Sequence, residues 1–116
     1  MSEKVLEART KEYARRIIRL YSSLPRSGAA QVIGHQVLRS GTSIGANYRE
    51  AMRSRSKAEF IAKLGDSLKE ASESEYWLEL LSGESLVQPK RLQPLLEETR
   101  ELVAMLVASI KTARGR

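Results

Sequence analysis

The side chains of this 116-residue chain with chemical potential are carboxylates and cations. Glu50, Glu70, Glu73 and Glu75 lie on two neighbouring helical stretches, and paired carboxylates are the usual means of general acid–base work. A working site also needs a nucleophile, a base or a metal, and nothing near these four in the sequence offers one. Carboxylates inside helical bundles also hold di-iron centres, which require Glu-x-x-His on two helices. The single histidine, His35, has Val32 three residues before it, so that motif is missing and His35 reads as a surface or connector-side residue. Cysteine is absent, which removes disulfides, thiolate ligands and a cysteine nucleophile. The expectation is a protein without catalysis, metal or cofactor.

Gly34, Gly41 and Gly45 are spaced by seven and four. A phosphate cradle needs a glycine-rich turn after a strand, with a following Lys-Ser/Thr in the P-loop case. Neither context exists, so these glycines read as positions of close helix packing.

The cations carry more information. Lys4, Lys11 and Arg15 share a helix face at spacings of seven and four, with Arg19 one turn on. Arg49 and Arg53 share another face and lead into Arg55 and Lys57. Rows of this kind hold phosphate backbones without reading sequence, which makes RNA or DNA a candidate partner. Aromatics interleaved for base stacking are missing, so sequence-specific single-strand binding is not expected. The net charge of +6 is unevenly spread. Residues 58–88 hold seven acids and two bases, whereas residues 25–57 hold one acid and six bases. That contrast suits a polyanion, a complementary surface on another protein or on a second copy, or simply solvated helix faces.

Positioning these groups falls to helices, because the apolar pattern is helical throughout. The first runs over about Glu3–Ser23, with Leu6, Thr10, Tyr13, Ile17 and Leu20 on one stripe. Pro25 and Gly28 break the chain. The second, about Ala29–Arg53, aligns Val37, Ser40, Gly41, Ile44, Asn47, Tyr48 and Ala51. Ser56 and Glu59 form a capping box, starting a third helix near Lys57 that runs to about Leu81, with Gly83 ending it. Pro94 is expected in the first turn of the fourth helix and Pro89 in the turn before it. That helix carries Leu95, Thr99, Leu102, Leu106 and Ile110, then frays into Lys111–Arg116.

The third helix has two packing sides. Phe60, Leu64, Ser67, Ala71, Ser74, Leu78 and Leu81 make the seam that faces the bundle. The opposite side holds Ala58, Ala62, Gly65, Ser72, Tyr76 and Leu80, where a monomer presents charges, so a second chain is expected there. Trp77 projects to the flank shared with Asp66, Glu70 and Glu73, either stacked on a neighbour's arginine or as a partly buried bundle aromatic. Asn47, Glu50 and Glu75 are placed to form an inter-helix polar network that fixes register.

The run from Ser43 to Leu81 resembles the small bacterial four-helix-bundle proteins encoded in intervening sequences of 23S rRNA genes. The shared residues are Ser43, Ile44, Ala46, Asn47 and Glu50, then Lys57, Glu59 and Phe60, then Ser67, Leu68, Glu70, Ala71, Glu73, Tyr76, Trp77 and Leu78. Ala51 stands where that family usually has Gly. The family is similar, more distantly, to the accessory variability determinant of diversity-generating retroelements, a basic pentamer associated with nucleic acid. The resemblance implies a homopentameric ring and a tie to RNA, and no catalytic activity.

Together these readings give one all-α domain over residues 1–116, an antiparallel up-down-up-down four-helix bundle that is homo-oligomeric. No apolar run approaches the roughly 20 residues that span a bilayer, and the first residues are unlike a signal peptide. A cytoplasmic location without membrane contact is expected.

Overall fold

A computed structural model describes residues 3–115. Four helices pack as a bundle of 46 × 21 × 19 Å: α1 (Glu3–Ser23), α2 (Gly28–Met52), α3 (Lys57–Gly83) and α4 (Pro89–Arg114). No strand occurs among the described residues.

Local chemistry sets the helix ends. Gly28 opens α2 at φ +69°, a conformation that a side chain resists. At α3 the Ser56 hydroxyl accepts from the Glu59 N–H at 3.0 Å, as a capping box requires. The return bond differs from the expected one: the Glu59 carboxylate accepts from the Arg55 N–H at 3.2 Å.

Three expectations about helix ends need correction. Gly83 is the last residue of α3, and the left-handed residue of the following turn is Ser85, at φ 56°. The Leu86 and Val87 N–H groups both donate to the Leu81 carbonyl, so buried Val87 pins the turn two residues later than a glycine stop would. At α4, Pro89 takes the first position and Pro94 lies inside the helix. The Arg91 and Leu92 N–H groups both reach the Gln88 carbonyl, which starts the helix at Pro89. Pro94 withholds a donor only from the carbonyl of Lys90, an exposed residue of the first turn that water can serve. Finally, α4 does not fray at Lys111, because Lys111 accepts from the Gly115 N–H at 2.9 Å and helix continues through Arg114. Arg116 lies outside the described residues.

The predicted stripes form the core. Leu6, Tyr13, Ile17, Val37, Ile44, Leu64, Ala71, Leu78, Leu102 and Leu106 are buried together, while Phe60 and Asn47 at the stripe edges are half-buried. The glycines of α2 set how closely it approaches α1. A Cβ at Gly34 would stand 2.8 Å from Leu24, one at Gly41 2.7 Å from Ile17, and one at Gly45 3.1 Å from Thr10. Contacts along α2 and α3 follow a similar order, with Ser40 against Ser74, Ile44 against Ser67 and Glu50 against Lys63.

One buried polar layer crosses the whole bundle. Tyr13, Ser40, Ser74 and Thr99 come one from each helix and are each 0% exposed. The Tyr13 hydroxyl meets Thr99 Oγ1 at 2.6 Å, and Ser40 Oγ meets Ser74 Oγ at 2.8 Å. Ser74 Oγ donates to the Glu70 carbonyl at 2.9 Å, which makes the Ser40 hydroxyl the donor of its pair. Thr99 donates to the Leu95 carbonyl at 2.7 Å, which leaves its oxygen to accept from Tyr13. Burial pushes the Tyr13 phenol up to about 12, against the opposing pull of the Thr99 and Ser74 hydroxyls. Among the described residues every buried side-chain polar atom has a partner, as a stable interior demands.

Candidate nucleic-acid interface and assembly face

Whereas Arg19 lies in the other half, beside the start of α4, the bundle brings Lys4, Arg49, Arg53, Arg55 and Lys57 toward one end. The start of α1, the end of α2, the start of α3 and the end of α4 meet there, lining one cavity with Leu6, Met52, Phe60 and Ala113. Beside it a shallow surface is bordered by Arg55, Lys57 and Ala113. Between α1 and α2 runs a groove of about 440 Å³ lined by Lys4, Lys11 and Arg49, floored by Ala8, Ala14, Gly45 and Ala46. Glu7 is the one carboxylate in that lining. The groove exists because Gly45 and the alanines leave no bulk between the helices. Its cations therefore stand on either side of an open channel.

Ion pairing inside the chain decides which charges stay available. On α3, Glu70 and Glu73 are held by Arg39, with Arg39 Nη1 3.3 Å from Glu70. Glu75 and Glu79 are held by Arg100 at 2.8 and 3.2 Å, and Glu50 by Lys63 at 2.8 Å. These carboxylates raise the pKa of Arg39, Lys63 and Arg100 above their ordinary values through direct hydrogen bonds. Glu73 is held below the usual carboxylate value, first by the Trp77 indole N–H at 3.1 Å and then by Arg39. The acids of α3 are thus largely matched within the protomer. The side-chain charges of Lys4, Lys11, Arg49, Arg53, Arg55 and Lys57 have no carboxylate ion-pair partner among the described residues. Arg15 and Arg19 share Glu12, at 3.8 and 3.7 Å, in exposed and therefore weak pairs.

The expected network of Asn47, Glu50 and Glu75 is not brought together. Asn47 donates to the Ser43 carbonyl of its own helix at 3.0 Å, Glu50 pairs with Lys63, and Glu75 pairs with Arg100. The uncharged hydroxyl layer supplies the buried inter-helix contact instead. Its cost of burial is lower than that of a carboxylate pair, which favours hydroxyls at a fully dry position.

On the outer side of α3, Ala58, Ala62, Ser72 and Tyr76 are exposed, Tyr76 at 54%, while Gly65 and Leu80 are half-buried. A Cβ added at Gly65 would meet nothing within 4 Å. Trp77 is half-buried against the core, with Tyr76 edge-on to it at 5.0 Å between ring centres. His35 is exposed, its Nε2 3.1 Å from the Tyr21 hydroxyl and 2.8 Å from the Gln31 amide.

Arg39 and Arg100 escaped the sequence reading. Their spacing on α2 and α4 is unremarkable, and their partners lie on α3. The legible signal was the surplus of acids on α3, which called for cations on whichever helices flank it.

Comparisons agree with this architecture. The family model described as 23S rRNA-intervening sequence protein matches residues 5–108. A crystal structure from Bacteroides thetaiotaomicron, of a protein described as of unknown function from the S23 ribosomal protein family, is 41% identical. That match covers 96% of this chain and 99% of the other, with a TM-score of 0.90. No curated protein matches the chain.

Proposed function

Because the chain belongs to the 23S rRNA-intervening sequence protein family, we propose that it is a non-enzymatic helical scaffold that associates with nucleic acid, RNA before DNA, through phosphate contacts that read no sequence. The observation that carries this reading is the set of cations at one end without carboxylate partners, left over because Arg39 and Arg100 already match acids of α3 and Lys63 matches Glu50 of α2. The absence of catalysis is supported by the same pairings. Glu50, Glu70, Glu73 and Glu75, the carboxylates best placed for acid–base work, are each engaged by a cation.

The protomer in this reading is an antiparallel up-down-up-down bundle. The opposed order of contacts supports it: Thr10, Ile17 and Tyr21 of α1 meet Gly45, Gly41 and Gly34 of α2, and Arg9 and Ser23 of α1 meet Glu98 and Arg91 of α4. Its assembly is a homopentamer, built on the outer row of α3 and located in the cytoplasm. A second reading, a purely structural module that binds another protein, is favoured by that same outer row with exposed Tyr76 in it.

A salt series with a generic RNA and a DNA duplex separates the two. Phosphate neutralisation makes log affinity fall linearly with log salt, by about 0.9 per contacted duplex phosphate. Replacing Lys11 and Arg49 with glutamine should flatten that slope and leave the oligomer intact. No binding at about 50 mM salt, where backbone contacts are strongest, leaves the protein module as the surviving reading.

A further inference from the structure

A second cationic cavity lies in the opposite half of the bundle, in the seam between α1 and α4. It is an open depression of about 210 Å³ lined by Arg16, Arg19, Leu20, Arg91, Leu92 and Leu95, with no carboxylate in the lining. We propose that this pocket binds a phosphate group, held by the three guanidinium groups over a leucine floor.

Geometry and charge both select this ligand. A pocket that takes a whole small molecule encloses roughly 300–1,000 Å³, so this one fits a headgroup rather than a cofactor. Guanidinium groups present paired donors in a fixed plane that matches phosphate oxygens, and they stay charged at any working pH. Arg16 has no hydrogen-bond or ion-pair partner among the described residues. Arg91 spends one donor on the Ser23 hydroxyl at 3.2 Å, which steadies its side chain and leaves the rest free. Arg19 is drawn outward by Glu12 only at 3.7 Å, in a pair that is more than half exposed on both sides. Arg91 also stands in the first turn of the 26-residue α4, which carries no acid there, so the positive end of that helix adds to the field. Three like charges around one small cavity repel one another, and a dianion relieves the repulsion.

The source of the phosphate is either a free phosphate compound or the terminal phosphate of a nucleic acid. The test is calorimetric titration of the full chain with inorganic phosphate, repeated with a short oligonucleotide carrying a 5′-phosphate and with its 5′-hydroxyl form. One equivalent of inorganic phosphate per chain is expected, weakened about tenfold by Arg91→Gln and again by Arg16→Gln, as loss of charge-assisted bonds predicts. Both variants should melt like the parent. Tighter binding of the 5′-phosphate form points to a nucleic-acid end, and equal binding of the two forms beside saturable inorganic phosphate points to a free compound. Absence of saturation, or a double variant that binds as the parent does, overturns the proposal. The pocket stands apart from the nucleic-acid reading, since replacing Lys11 and Arg49 should change the duplex salt slope and leave phosphate binding untouched.

Discussion

The seam between α1 and α2 and the outer face of α3 use the same small residues to opposite ends. In the seam, a Cβ at Gly41 would stand 2.7 Å from Ile17, and those at Gly45 and Gly34 would press on Thr10 and Tyr21 of α1 at 3.1 and 3.3 Å. On the outer face, Gly65 looks into open space. The first set is accounted for by the packing of a single chain, and the second is not. A small residue therefore says little by itself, and the neighbour it admits says whether it serves the protomer or something beyond it.

The largest effect should come from filling the seam. Gly41→Leu puts a side chain where even a Cβ would lie 2.7 Å from Ile17, and overpacking of that kind costs about 1–3 kcal/mol or more. Chemical denaturation should report it as a lower midpoint with an unchanged slope. An unchanged midpoint would mean that α1 and α2 yield easily, and the contrast with α3 would collapse.

Tyr13→Phe is next, at about 1 kcal/mol, because Thr99 keeps its bond to Leu95 while losing the phenol. The same residue has an alkaline signature. Its folded pKa of about 12 lies above the ordinary 10.0, so the neutral phenol is favoured in the fold. That stabilisation is present below pH 10 and is lost as pH rises from 10 toward 12. Phenolate absorbance should show a tyrosine titrating toward pH 12, and Tyr13→Phe should remove that part of the curve.

Gly65→Leu should be the mildest for the protomer, with no loss of stability and a gain of up to about 0.8 kcal/mol from helix propensity. Its effect belongs to the assembly, where light scattering should show a smaller particle, as it should for Tyr76→Glu. If both variants keep the parent's size and melting, the outer face of α3 is ordinary solvent-exposed surface.

Much of this was legible in the sequence, and the residues show where legibility stopped. Spacing placed Leu64, Ser67, Ala71, Ser74, Leu78 and Leu81 on one stripe, and all six are buried. Spacing also placed Tyr13, Ser40, Ser74 and Thr99 on core stripes of their own helices. It did not reveal that they touch, because periodicity fixes the face of a residue and not its height against a neighbouring helix. The same gap hid the pairing of Arg39 with Glu70 and Glu73. It also invited the network of Asn47, Glu50 and Glu75, whose members turn to three separate partners. Pro94 was misjudged for a different reason: one missing donor near the start of a helix is cheap, so the residue need not mark the start itself.

Unmatched cations stand at both ends of a rod 46 Å long, Arg53, Arg55 and Lys57 at one and Arg16 and Arg91 at the other. At physiological ionic strength the field decays over about 8 Å, a small fraction of the rod's length. An anion held at one end lies beyond the reach of the charge at the other. The two ends can therefore answer to separate anions without competing for them.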